Sequence, residues 1–244
     1  MTGSRSAPVQ AYRVWRDRGT TSLLKKVERR LRRRNAAQRY VPYPERKESL
    51  GKTYIRDRKA IERGRCIPGR HFFTASLVPG DSVLEVGGNK GILALLLARR
   101  GLSVSSVEYQ SVAHHEALRL QRKWANRGLR VESAEFINAD IFDVLDSKRL
   151  AHDTVVLSRV AYHLRDGLFT FLDHLPTDVK YLVVAGNNTK AQEFYRGESH
   201  PLAGYLKYAA IEGMCELLEC GGFAVEAIRP ASDWNDPVVV GSRP

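Results

Sequence analysis

Between residues 85 and 108 the chain carries an acid, a run of glycines and a second acid at spacings that suit a nucleotide-like ligand. Asp81-Ser82-Val83-Leu84-Glu85-Val86 reads as a buried strand ending near an acid. Gly87-Gly88-Asn89-Lys90-Gly91 reads as a turn, and an apolar helix opens at once with Ile92. A turn without side chains lets a ligand lie against bare backbone at the carboxyl end of a parallel strand. Glu108 follows Gly87 by 21 residues, at the end of the next strand-like run, where a carboxylate can accept both hydroxyls of a ribose. Further on, His163 stands beside Tyr162 at the start of a helix, the chain's best-placed candidate general base.

The elements that must position these residues alternate. Strands are expected at 82–86, 103–108, 132–137, 154–157, 181–185, 223–228 and 238–241. Helices are expected at 90–100, 112–126, 144–150, 161–174 and 202–220, with a polar loop over 186–201 and a short helix over 71–77. Such alternation builds a doubly wound, mostly parallel α/β sheet. Before it, a basic helix is expected over 21–34 and another over 54–63, separated by the prolines of Tyr40-Val41-Pro42-Tyr43-Pro44. The domain reading is a basic, partly helical extension over 1–66 and a catalytic domain over 67–244.

Charge divides the same way. Residues 1–70 hold 21 Lys and Arg against 6 Asp and Glu, whereas 71–244 hold 18 against 21. The net charge of +12 therefore belongs to the extension. It points to a polyanion partner for residues 12–65, either an anionic membrane surface or RNA; a helix docked on its own domain is the third reading. No apolar run approaches the roughly 20 residues of a transmembrane span. The first residues lack the apolar core of a secretory signal. Cys66, Cys215 and Cys220 show no disulfide framework and no zinc spacing, and no metal site is expected. The localisation expected is cytoplasmic, peripheral at a membrane if the extension meets lipid.

The segment from Glu85 to Gly91 resembles the first motif of the class I S-adenosylmethionine-dependent methyltransferases. That resemblance implies a seven-stranded Rossmann-like sheet with an antiparallel C-terminal edge strand, and S-adenosyl-L-methionine as cofactor. It implies that Glu85, Gly87, Gly88, Asn89 and Gly91 form the turn under the methionine part and the ribose, with Glu108 on the ribose. Asp140 and Ile141 would meet the adenine. Ser158 and Arg159, in Leu157-Ser158-Arg159-Val160-Ala161-Tyr162-His163-Leu164, would meet the amino-acid end of the cofactor. Asn89 stands where many members have Gly; Asn tolerates a positive φ, so the turn survives. A Gly-Ala-Asn type of turn also occurs in the FkbM-type branch, which methylates hydroxyls on sugars and related natural products.

A dinucleotide dehydrogenase needs Gly-x-Gly-x-x-Gly; counted from Gly87, Asn89 and Ile92 break the pattern. The Asn/Asp-Pro-Pro-Tyr motif of amino-methyltransferases acting on bases is also missing. The expectation is O-methylation of a small-molecule or glycan hydroxyl, with His163 and Tyr162 as candidate catalytic residues. Methylation of tRNA or rRNA is the alternative, and a non-catalytic cofactor-binding adaptor is the second alternative.

Overall fold

The computed structural model describes residues 70–146, 151–197, 201–232 and 235–243. The helices expected over 21–34 and 54–63, and the boundary at 66, lie outside the described residues.

Strands form where β-branched and apolar residues can be buried on both faces. β1 (Ser82–Val86), β4 (Thr154–Ser158) and β5 (Tyr181–Ala185) are almost wholly buried. Such continuous apolar strands belong at the centre of a parallel sheet. With β2 (Ser103–Val107), β3 (Ala134–Ile137), β6 (Ala224–Arg229) and β7 (Val238–Ser242) they make one seven-stranded sheet in the order β3-β2-β1-β4-β5-β7-β6. Every pairing from β3 to β5 is parallel. β7, the C-terminal strand, is the antiparallel one. It sits between β5 and β6, and β6 takes the rim. Burial explains the order: β7 buries Val238 through Gly241, while β6 alternates between exposed and half-buried residues.

Alternation along the strands divides the core in two. Leu84, Val86, Val155, Leu157, Leu182 and Val184 face one side, and Val83, Val104, Val156, Val183 and Val240 the other. The second side is covered by α2 (Ile92–Arg99), whose residues Ile92 to Ala98 are all buried. A helix apolar on every face needs cover on every face, and α1 (Arg70–Leu77) supplies the outer one. The Arg100 guanidinium donates to the Ala75 carbonyl and, at 3.3 Å, to the Val78 carbonyl, tying the two helices together. α3 (Ser111–Ala125) completes this layer, with Trp124 at its end fully buried.

Four expectations need correction. The helix expected over 161–174 is two helices, α5 (Ala161–Leu164) and α6 (Gly167–His174). The chain breaks at Arg165, whose φ of 51° and ψ of −131° are incompatible with a helix. The polar loop expected over 186–201 contains α7 (Asn188–Tyr195); the Asn187 side chain caps it by accepting from the Lys190 N–H. Only Ala191 of α7 is buried, so its sequence carries no apolar stripe. The helix expected over 202–220 is a 3-10 helix (Ala203–Ala209) followed by α8 (Ile211–Cys220), separated by Ala210 in an extended conformation. The helix expected over 144–150 instead begins earlier, as α4 (Ile141–Asp146), because Asp140 accepts from the Phe142 N–H at 3.0 Å. No helix among the described residues is long and apolar enough to cross a membrane.

Trp124 is the largest side chain fully buried in the α2–α3 layer. Trp124→Ala is expected to lower unfolding stability by about 3–5 kcal/mol in a urea titration. A loss below about 1 kcal/mol would show that the layer collapses into the vacated volume.

Candidate active site

A cavity of about 320 Å³ opens at the carboxyl ends of β1, β2 and β4. Its floor is the turn between β1 and α2. Gly87 has a φ of 69° and Asn89 a φ of 49°, so the chain is left-handed at both positions. A Cβ on Gly87 would lie 2.8 Å from Val160 Cγ2, and one on Gly88 would lie 1.8 Å from Ser106 Oγ. No side chain fits at either position: the turn is pressed between β2 and the segment after β4. Gly91 packs against the Phe136 ring and Ala117.

The turn's hydrogen bonds decide what ligand it suits. The N–H groups of Gly87 and Gly88 both donate to the Val107 carbonyl, at 2.8 and 3.1 Å, and that of Gly91 donates to the Gly88 carbonyl. The Asn89 N–H donates to Glu108 Oε2 at 2.7 Å. These donors, which a phosphate cradle would turn outward, are all engaged within the protein. Two acceptor groups, on Asn89 and Glu108, line the cavity beside them. Asn89 Oδ1 is buried with no hydrogen-bond partner. Glu108 is held at both oxygens, by the Asn89 N–H and, at 2.8 Å, by the Gln110 N–H. At this end of the cavity, an unpaired acceptor atom and a pinned carboxylate suit hydroxyls and ammonium groups, not a pyrophosphate.

Glu85 lies beneath the turn and does not line the cavity. It shares a pocket of about 30 Å³ with His71, Gly88, Ser158 and Arg159. Ser106 Oγ donates to its Oε2 at 2.7 Å. Burial pushes the Glu85 carboxyl up to about 7; the Ser106 and Ala94 hydrogen bonds oppose this, and the Glu108 charge adds to it.

At the β2–β3 side, Tyr109, Gln110, Ala139 and Ile141 join Glu108 in the wall. Asp140 does not; its carboxylate caps α4. At the β4 side stand Ser158, Arg159, Tyr162 and His163, with Arg70 of α1. Arg159 has a φ of 58°, a strained conformation for a residue with a side chain. It is held by its N–H on the Ala185 carbonyl at 2.8 Å and by an ion pair with Asp236 at 2.7 Å. Tyr162 is buried, and its hydroxyl oxygen accepts from Asn187 Nδ2 at 3.0 Å. Burial pushes the phenol pKa up, against the Asn187 bond and the Arg159 charge, so it stays protonated. The His163 ring lies 4.4 Å from the Tyr162 ring, and the His163 backbone N–H donates to the Val160 carbonyl in the first turn of α5.

The expected residues thus fall into two groups. Gly87, Asn89, Glu108, Ile141, Ser158, Arg159, Tyr162 and His163 line one cavity. Glu85, Gly88, Gly91 and Asp140 shape its walls from behind. Asp236, Gln110 and Arg70 were not singled out in the sequence. Gln110 contributes a backbone N–H, which leaves no trace in residue type. Asp236 meets Arg159 across 77 positions of chain, and no local spacing signals that contact.

No family model and no curated protein matches this chain. Solved structures do. Magnesium protoporphyrin IX methyltransferase from Synechocystis PCC 6803, with bound S-adenosylhomocysteine, is 12% identical; the match covers 87% of this chain and 93% of that one at a TM-score of 0.50. An O-methyltransferase family protein from Burkholderia thailandensis is 15% identical over 78% of this chain, with a TM-score of 0.50. The chain spans 57% of that protein. It spans 39% of WbdD, which is 16% identical at a TM-score of 0.48. The fold is that of the class I S-adenosylmethionine-dependent methyltransferases.

Glu85 makes stability depend on pH. Its folded pKa of about 7 lies above its ordinary 4.5. The folded state therefore holds a proton that the unfolded chain releases between these values, and stability falls as pH rises from 4.5 to 7, then levels. Glu85→Gln removes this slope. The stability of the variant relative to the parent is expected to rise by on the order of 3 kcal/mol across that window, read from denaturant midpoints at each pH. A constant difference would mean that Glu85 is ionised throughout.

Proposed function

We propose that this chain is an S-adenosylmethionine-dependent methyltransferase acting on a hydroxyl of a small molecule or glycan. One observation carries the reading. A Glu108 carboxylate pinned by two backbone N–H groups stands over a glycine turn whose own donors face inward. The two together favour a nucleoside bearing free hydroxyls and a cationic tail, and disfavour a phosphate-bearing one.

The roles then follow from chemistry. Glu108 accepts from the ribose hydroxyls. Ala139 and Ile141 give the adenine an apolar wall, with Asp140 behind it. Asn89 Oδ1 offers an acceptor to the cofactor's ammonium or hydroxyl groups. Ser158 and Arg159 serve its amino-acid end. The cofactor supplies an electrophilic methyl group on a sulfonium, and transfer is an in-line displacement, so the protein's main task is to align the nucleophile and exclude water. A hydroxyl nucleophile gains from losing its proton as the bond forms, and His163 is the base proposed for it. Tyr162, protonated and accepting from Asn187, acts as a hydrogen-bonding wall and not as a base.

RNA methylation is the second reading. The sequence supports it through the 21 Lys and Arg within residues 1–70. The same charge supports peripheral binding to an anionic membrane. Retention on RNA or on anionic vesicles, each compared with a chain lacking residues 1–40, separates the two.

Calorimetry with S-adenosylmethionine tests the central claim. The parent chain is expected to bind and Glu108→Ala to bind at least about 10-fold more weakly. An intact, folded parent that does not bind overturns the reading. His163→Gln is expected to lower the methyl-transfer kcat by about 10²-fold or more while leaving S-adenosylhomocysteine affinity within about 2-fold. An unchanged kcat would remove His163 from the chemistry.

A further inference from the structure

The β4 side of the cavity carries a relay of hydrogen bonds rooted in Asp236, which is 7% exposed. Its Oδ2 accepts from Arg159 Nε at 2.7 Å. Its Oδ1 accepts from Arg159 Nη2 at 3.1 Å and from the Asn188 N–H at 3.0 Å. Arg159 Nη2 also donates to Asn187 Oδ1 at 3.2 Å, and the Lys190 N–H donates to the same oxygen at 3.4 Å. Two donors on Oδ1 orient the Asn187 amide, and its Nδ2 therefore donates to the Tyr162 hydroxyl oxygen at 3.0 Å.

Each bond sets the direction of the next. The Tyr162 oxygen receives, so its own hydrogen is left for a group outside the relay. The Nε–Nη2 edge of Arg159 is engaged, and both hydrogens of Nη1 remain. Arg159 and Tyr162 bind opposite ends of one amide and line the same cavity, so they are neighbours there. Arg70 lines that cavity too and adds positive charge.

We infer that Asp236 is a positioning residue which, through Arg159 and Asn187, aims the Arg159 Nη1 and Tyr162 hydroxyl hydrogens at one carboxylate in the cavity. A planar guanidinium beside a hydroxyl donor matches the two oxygens of such a group. The inference rests on the methyltransferase reading for the two sources of that carboxylate: the amino-acid tail of the cofactor, or the methyl acceptor.

The test uses the full chain and its Asp236→Asn and Tyr162→Phe variants, which change shape little. Two nucleosides are titrated by calorimetry: S-adenosylhomocysteine, and 5′-methylthioadenosine, which lacks the amino-acid tail. Benzoate is then titrated into protein loaded with S-adenosylhomocysteine. If the tail supplies the carboxylate, both variants bind S-adenosylhomocysteine at least about 10-fold more weakly and 5′-methylthioadenosine within about 2-fold, with Asp236→Glu restoring part of the ratio. If the acceptor supplies it, both nucleosides bind unchanged and benzoate affinity falls at least about 5-fold in both variants. Variants that leave S-adenosylhomocysteine and benzoate unaffected, or that weaken both nucleosides alike, overturn the inference and leave the cofactor reading standing. A parent chain that binds neither nucleoside overturns both.

Discussion

The close seating of the β1–α2 turn against β2 governs the site. Two consecutive glycine N–H groups converge on one carbonyl, that of Val107, and the next N–H meets the Glu108 carboxylate. The turn can do this only because Gly88 has no Cβ: one there would lie 1.8 Å from Ser106 Oγ. One contact thus sets the depth of the cavity floor, the direction of the Glu108 carboxylate and the inward turn of the backbone donors. It also places Glu85 beneath the floor, where water is excluded and its ionisation is costly.

The opposite wall depends on a different constraint. Arg159 leaves β4 in a left-handed conformation that its side chain disfavours. The Ala185 carbonyl and the Asp236 carboxylate hold it there. Because Asp236 also binds the start of α7, the ends of β4 and β5 and the approach to β7 are tied at one point. The breaks at Arg165 and Ala210 belong to the same side of the molecule. The break at Arg165 ends α5 just after Tyr162 and His163, which line the cavity.

The two walls differ in character. The β2 side offers a fixed carboxylate and apolar groups, and the β4 side offers guanidinium, imidazole and hydroxyl groups. A ligand spanning them is expected to carry donors at one end and an oxyanion at the other.

Much of this was legible in the amino-acid order. The sheet's strands, their alternation with helices and the acid–glycine–acid spacing from Glu85 to Glu108 are local, and local periodicity and turn chemistry report them directly. Helix interruptions were not legible. The segments 161–174 and 202–220 keep a continuous apolar pattern through the breaks at Arg165 and Ala210, which packing against the sheet imposes. α7 was hidden for the opposite reason: it buries one residue, so its cap and not its pattern defines it. Glycines and acids close in sequence thus determined by themselves where a ligand could lie. Which of their atoms face it, and the pairing of Arg159 with Asp236 across 77 residues, were decided only by the fold, because hydrogen-bond direction and long-range contact have no counterpart in residue order.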